Sequence, residues 1–179
     1  MARGTRSLLA LLAVLAAVVA AQPISASSDG NTARTLTARD DLEAALLAEI
    51  NTLRRRHRLA PLRVNIRLRA AADSHSAAMA NRGFFAHESA DGTTFWKRVV
   101  RFYPRARYWA VGENLLWSSP TVDAAGALRM WLNSPPHKRN LLTPRWREIG
   151  LSAVYADQAP GVFGGRPVTI VTADFGVRR

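Results

Sequence analysis

The spacing of hydrophobic residues changes once along this chain, from a helical period to a strand period. Apolar residues recur every three or four positions over residues 40–58 and again after Asn65, the spacing of a helix with one buried face. Residues 149–155 and 168–175 alternate between apolar and polar instead, and a loop rich in Gly and Pro at 159–167 joins them as a long hairpin. Helices followed by strands favour an α+β fold with a small antiparallel sheet.

The ends of the predicted helices carry residues that begin or stop helices. Pro61 ends the first helix, Asn65 can cap the second, and Gly83 ends the second. Thr121 is predicted to cap a later helix, which Pro135–Pro136 stops. Each of these helices therefore has a defined length of a few turns.

Residues 1–26 have the three parts of a secretory signal peptide. Two arginines precede an uninterrupted apolar run from Leu8 to Ala21, and small residues follow, with cleavage after Ala21 or after Ala26. The run is shorter than the ~20 residues that a membrane-spanning helix needs, which disfavours a retained anchor. We therefore predict a secreted, extracellular protein.

The rest of the chain has the size of one domain. Residues 27–39 are small and polar without periodicity, which predicts a flexible leader, and residues 40–179 form the predicted folded domain. The chain contains no cysteine, so an exported domain of this sequence depends on its buried core for stability rather than on disulfides. We expect it to be a monomer.

The chain is strongly basic. It has 25 Lys and Arg against 13 Asp and Glu, a net charge of +12. Removing the first 26 residues takes away two arginines and leaves 23 cationic side chains against 13 acidic ones, a net +10. A charge of this size attracts anionic surfaces. Export argues against nucleic acid and favours an anionic cell-envelope polymer or a phospholipid surface.

Two of the four histidines are candidates for a functional site. His57 lies in a run of arginines and is predicted to be solvated, whereas His75 lies on the apolar side of the second helix and is predicted to be a hydrogen-bonded core residue. His87 and His137 stand in segments interrupted by Gly or Pro, and loops carry functional residues more often than helices and strands do. Glu113 lies 26 residues after the first and 24 before the second of this pair.

Five short segments follow one another in a characteristic order. They are Phe85-Ala86-His87, Gly112-Glu113-Asn114-Leu115, Trp131 to Leu142 with the core Ser134-Pro135-Pro136-His137, Ile149-Gly150, and Asp174-Phe175-Gly176. Together they resemble the CAP superfamily of cysteine-rich secretory proteins, antigen 5 and pathogenesis-related group 1 proteins. The domain is also called the SCP domain, and the bacterial secreted branch is the most similar. The resemblance runs from about Leu42 to Gly176.

The resemblance implies a three-layer α-β-α sandwich with a central cleft that holds two histidines and two glutamates. His87 and His137 match the histidines and Glu113 the first glutamate, while Ser134 occupies the position of the second glutamate. The resemblance also implies that His87 and His137 can bind a divalent metal such as zinc. Two imidazoles with at most one carboxylate would form a weak site completed by solvent.

Several functions are compatible with these residues, and the sequence leaves open whether the protein is an enzyme. The resemblance implies one of them, a binding module for a small apolar ligand such as a sterol or fatty acid, which some members of the family bind. Another is an envelope-interaction protein held by its charge. The alternative is a metal-assisted, peptidase-like hydrolase using His87 and His137, with Glu113 as the catalytic base. In the scaffold interpretation, Glu113 instead ties loops together through hydrogen bonds. An aromatic-rich middle segment could form a cleft wall or pack in the core: Trp96, Tyr103, Tyr108, Trp109 and Trp117.

Overall fold

A five-stranded sheet forms the central layer of the computed structural model, which describes residues 35–179. The strands are β1 (Leu36–Ala38), β2 (Arg63–Val64), β3 (Trp109–Ser118), β4 (Glu148–Ala159) and β5 (Arg166–Arg178). Their order is β1-β4-β5-β3, with each of these pairs antiparallel, and the two residues of β2 run parallel to β4. β3 is therefore an outer strand of the sheet.

Within residues 35–179, five α-helices cover the two faces of the sheet. They are α1 (Asp40–Arg56), α2 (Ile66–Arg82), α3 (Phe95–Val100), α4 (Ala124–Leu132) and α5 (Pro135–Leu141). α2 packs on β4 and β5 with α3 beside it, and α1, α4 and α5 pack on the other face. This arrangement confirms the predicted α+β class and the three-layer α-β-α sandwich.

The strand β5 supplies both halves of the hydrophobic core. Val171, Ala173 and Phe175 join the cluster that contains α1 and α4. Ile170 joins the cluster that contains Met79 of α2. Because side chains alternate between the faces of a strand, a strand that is covered on both sides is buried along its length, and residues 168–177 of β5 are all buried.

The ends of α2 lie where the sequence predicts them. The Asn65 side chain accepts hydrogen bonds from the backbone N–H groups of Arg67 and Leu68, which caps the helix. Gly83 ends the helix with a left-handed backbone, φ 70°. A Cβ added at Gly83 would lie 2.6 Å from the carbonyl carbon of Pro160, so glycine is required there both by its backbone angle and by its neighbour.

The leader predicted at residues 27–39 is wrong at its end. Leu36–Ala38 form β1, paired with residues 154–156 of β4. Three residues are too few to display an alternating pattern, and the neighbouring strand supplies the hydrogen bonds that define this one. The signal peptide predicted at residues 1–26 and the leader up to residue 34 lie outside the described residues.

The segment around the second candidate histidine also differs from the prediction. Asp123, not Thr121, caps α4, since its carboxylate accepts a hydrogen bond from the backbone N–H of Gly126. Pro135–Pro136 follow the end of α4 but also begin α5, because proline fits the first turn of a helix, where its missing N–H has no partner to lose. His137 therefore lies in a helix and not in a loop.

Within residues 35–179, every helix is too short or too polar to cross a membrane.

Candidate functional site

The first candidate histidine and the glutamate contact each other. His87 lies in the loop after α2 and Glu113 lies in the middle of β3, and the ring Nδ1 of His87 is 2.8 Å from Oε1 of Glu113. A carboxylate only accepts hydrogen bonds, so the imidazole donates from Nδ1 and keeps Nε2 for other contacts. The Glu113 side chain is 1% exposed and that of His87 is 46% exposed. The carboxylate is thus a buried support for a partly exposed ring.

A buried arginine completes this half of the site. Arg98 of α3 has a side chain that is 7% exposed, and its Nη2 donates to Oε2 of Glu113 in a short ion pair. Its Nη1 donates to the backbone oxygen of His87 at 2.8 Å. Both carboxylate oxygens of Glu113 are therefore occupied. Sequence reasoning missed Arg98, although a cation directly before buried Val99 in an apolar helix is a signal that could have indicated it.

The second candidate histidine is held through its backbone. The Asn114 amide donates to the carbonyl oxygen of His137 at 3.1 Å, and the Asn140 amide donates to Oδ1 of Asn114 at 3.0 Å. The indole of Trp146 donates to Oδ1 of Asn140 at 3.1 Å. A Cβ on Gly112 would lie 2.7 Å from that same Oδ1. Any side chain at position 112 would therefore collide with the hydrogen-bonded amide of Asn140.

The two histidines face one groove. It has a volume of about 350 Å³ and is lined by His87, Val111, Gly112, Glu113, Asn114, Pro136, His137, Arg139, Asn140, Thr143, Arg145 and Trp146. Eight of these twelve residues have polar side chains, so polar groups outnumber apolar ones in the lining.

The structure brings three of the four predicted cleft residues together. His87, Glu113 and His137 line the groove, whereas Ser134 does not. Ser134 is the residue before α5, and its side chain makes no capping hydrogen bond. The position that the resemblance assigns to a second glutamate therefore adds nothing to the lining of this groove.

The other two histidines lie where the sequence predicts them. His75 is buried, and its Nε2 is 2.9 Å from the carbonyl oxygen of Ala86. His57 is exposed at the end of α1. Neither lines the groove.

The histidines of the groove differ in their electrostatic environment. The hydrogen bond to Glu113 raises the pKa of His87 above its ordinary range, although burial opposes the change. Burial lowers the pKa of His137, and the nearby charge of His87 lowers it further. Burial also lowers the pKa of His75. His87 is therefore the histidine of this site that most readily carries a positive charge.

A second carboxyl group lies beside Glu113 inside the protein. Asp174 of β5 pairs with Glu113 across the two strands and is fully buried. Neither of its carboxyl oxygens has a hydrogen-bond partner among the described residues. Burial raises the pKa of Asp174 well above its ordinary range, and the charge of Glu113 adds to this effect while Arg98 opposes it. Burial therefore disfavours the charged form of Asp174 beside the ion pair of Glu113 and Arg98.

The groove offers few ligands to a metal ion. The described residues contain no group of three or more His, Cys, Asp or Glu side chains able to hold one. Zinc sites use three or four protein ligands, and both oxygens of Glu113 are taken by His87 and Arg98. A tightly held zinc ion therefore does not fit these residues, and weak zinc binding by His87 and His137 stays a prediction.

The aromatic residues of the middle segment pack away from the groove. Trp109 donates from its indole to the backbone oxygen of Tyr103, which is buried, and Trp117 contacts Phe163 edge to face. The guanidinium of Arg105 lies 5.2 Å from the ring centre of Trp96. Tyr103 is thus a core residue and Trp109 and Trp117 pack against the core while partly exposed, whereas Tyr108 is exposed, and none of the five lines the groove.

A family model and a curated bacterial protein both match this chain. The family model described as the cysteine-rich secretory protein family, CAP, matches residues 47–175. The uncharacterized protein YkwD of Bacillus subtilis strain 168 is 24% identical over 132 residues, which is 74% of this chain and 50% of the relative. The chain thus spans about half the length of that curated relative.

Solved structures with a similar fold come from other bacteria. An extracellular protein with an SCP domain from Bacillus anthracis superposes with a TM-score of 0.60 at 26% identity, covering 78% of this chain and 41% of that one. An outer surface protein of Borrelia burgdorferi gives a TM-score of 0.63 at 21% identity, over 81% of this chain and 100% of that one. At 21% identity the second similarity concerns the fold alone.

Proposed function

This chain belongs to the CAP family of cysteine-rich secretory proteins, and we propose that it is an extracellular binding domain for an anionic partner in the cell envelope. An extracellular location is supported by the description of the 26% identical Bacillus anthracis structure as an extracellular protein. It is also supported by the predicted signal peptide, whereas the net charge of +12, or +10 without residues 1–26, supports an anionic partner. A basic domain outside the membrane meets anionic polymers and phospholipids first.

The hydrogen bonding of Glu113 is the observation that favours a binding role over a catalytic one. One oxygen accepts from His87 and the other from Arg98, and the side chain is 1% exposed. A general base must reach the proton that it removes, and a carboxylate buried between two donors is poorly placed to do so. In this role Glu113 holds the groove in shape, and the groove offers imidazole, amide and guanidinium groups to a ligand.

Association with the envelope tests the proposal. The purified protein is incubated with envelope fragments of the source cells and sedimented at increasing NaCl concentrations. We expect retention at low salt that falls steeply as salt rises, since the Debye length shortens from ~30 Å at 0.01 M to ~8 Å at 0.15 M. Export is measured separately, from the amount of protein in the culture medium with and without residues 1–26. Retention that does not change with salt, or no retention at all, contradicts the proposal.

A hydrolase is the second candidate function, because the contact between His87 and Glu113 also suits catalysis. A carboxylate that accepts from Nδ1 fixes the ring and leaves Nε2 able to take a proton from water. Peptide hydrolysis by the wild-type protein, compared with His87→Ala and Glu113→Gln and repeated with zinc and with a chelator, tests this candidate. Turnover that both substitutions abolish would support the hydrolase, and turnover unchanged by them would point to a contaminant.

Sterol or fatty-acid binding is a separate proposal, with weaker support from the groove. An apolar ligand needs an apolar lining, and most of the residues that line the groove are polar. A more apolar depression of about 510 Å³ lies beside it, lined by Pro135, Lys138, Arg139, Leu142, Thr143 and Pro144. A scintillation assay with labelled sterol and labelled fatty acid decides the point, since saturable binding is expected only of a true ligand.

A further inference from the structure

We propose that the groove contains an oxyanion subsite, formed by the guanidinium groups of Arg139 and Arg145, that receives a phosphate or carboxylate group of the ligand. The subsite rests on the proposed binding function and assigns its anion recognition to two named residues. It lies on the side of the groove formed by α5 and the segment that follows it.

Neither guanidinium has an acidic partner. Arg139 and Arg145 are exposed, and both line the groove. Among the described residues, no carboxylate lies within salt-bridge distance of either one, although Arg39, Arg69 and Arg98 all have such partners. Two unpaired arginines on one cavity attract an anion from solution.

The charge within the groove is also one-sided. Glu113 is the one acidic residue in its lining, and Arg98 and His87 already engage both of its oxygens. The buried guanidinium of Arg98 therefore compensates the negative charge of Glu113. The lining retains two guanidinium groups together with two imidazoles. A cation entering the groove would be repelled by the two guanidinium groups.

Packing restricts where one of the guanidinium groups can lie. The guanidinium of Arg145 stacks over the ring of Trp146 at 4.8 Å from the ring centre. The indole of Trp146 is itself held by hydrogen bonds to the backbone and side-chain oxygens of Asn140. Stacking on a fixed ring leaves the edges of the guanidinium free to donate, and a planar donor fork matches the oxygens of phosphate and carboxylate.

Titration with inorganic phosphate and with citrate, followed by amide NMR spectra of the wild-type protein, tests the subsite. We expect saturable shifts of the Gly112 and Asn140 signals. The double variant Arg139→Ala/Arg145→Ala is expected to weaken binding of the stronger probe about 10-fold or more, as for the loss of charge-assisted hydrogen bonds. The matched control is Arg107→Ala/Arg129→Ala, which removes the same charge from two exposed arginines outside the groove and should leave the affinity within about 2-fold.

The same three proteins are then sedimented with poly(glycerol phosphate) immobilised on beads and with vesicles of phosphatidylglycerol, which distinguishes a polymer from a lipid as the source of the anion. Phosphate binding that only the groove variant loses supports the subsite, even if envelope fragments fail to retain the wild-type protein. Equal losses in both double variants, or no saturable shift with either probe, overturn it. Salt-sensitive envelope retention without phosphate binding overturns the subsite and leaves the proposed function standing.

Discussion

Replacing Arg98 with methionine tests whether the buried ion pair holds the site together. The substitution Arg98→Met leaves the Glu113 carboxylate 1% exposed with His87 as its remaining partner and Asp174 beside it. Removing one member of a buried ion pair costs about 3–5 kcal/mol, because the other charge stays buried without compensation. Arg98 Nε is buried without a hydrogen-bond partner among the described residues. The substitution also removes this unfavourable group, which reduces the net loss of stability. We therefore expect a loss near the lower end of that range, about 3 kcal/mol.

Urea unfolding at pH 7 measures this loss as a change in the free energy of unfolding. The matched control is Arg101→Met, which removes an exposed arginine one turn later and should change stability by no more than about 0.5 kcal/mol. The slope of the transition should stay constant, so that the change in midpoint reports stability and not a different unfolded state.

A second substitution decides whether the uncompensated charge is the cause. In the double variant Arg98→Met/Glu113→Gln, the buried carboxylate becomes a neutral amide, and we expect recovery of about 1–3 kcal/mol relative to Arg98→Met. A loss below about 1 kcal/mol for Arg98→Met would refute the reasoning, since surface substitutions cost as little. A full loss with no recovery in the double variant would assign the effect to packing of the side chain and not to its charge.

Three further predictions concern the groove and its supports. An NMR titration should place the pKa of His87 above about 6.5 and the pKa of His137 below it. The stability that protonated His87 contributes should be present below about pH 6.5 and should disappear as the pH rises through the pKa of His87 in the folded protein. Equal values would contradict this order. Gly112→Ala should lower stability by about 1–3 kcal/mol in urea unfolding, since the new methyl would lie 2.7 Å from Oδ1 of Asn140. Arg54→Met should cost at least about 3 kcal/mol by the same measurement, because this fully buried arginine donates to four backbone carbonyls, and a smaller loss would mean that water replaces it.

The sequence predicts the helices and strands whose own residues carry a periodic pattern, a cap or a recognisable connecting loop. α1 and α2 each bury one stripe, so their periodicity is visible, and Asn65 and Gly83 mark the ends of α2 by local backbone chemistry. The two strands of the hairpin, β4 and β5, are likewise predicted from alternation and from the loop between them. In each case the signal lies within a few residues of the element itself.

The elements and site residues that were missed depend on distant partners. β3 contains a run of four buried residues, 113–116, of which Glu113 and Asn114 are polar, so its sequence shows neither a regular alternation nor a continuous apolar run. Arg98 and Arg54 are buried against partners 15 and 87 residues away in the chain. Arginine is ordinarily exposed, so composition predicts the opposite of what the fold requires at both positions.

The adjacent residues Glu113 and Asn114 explain why the groove lies where it does. Successive side chains of a strand point to opposite faces of the sheet, so one of them meets each helical layer. Glu113 binds His87 and Arg98 on the α3 side, while Asn114 binds the backbone of His137 on the α5 side. A dipeptide on an outer strand therefore fixes both walls of the groove at once. A change at either position should widen the groove from one side only, which makes the spacing of the two histidines a property of β3 rather than of the loop and the helix that carry them.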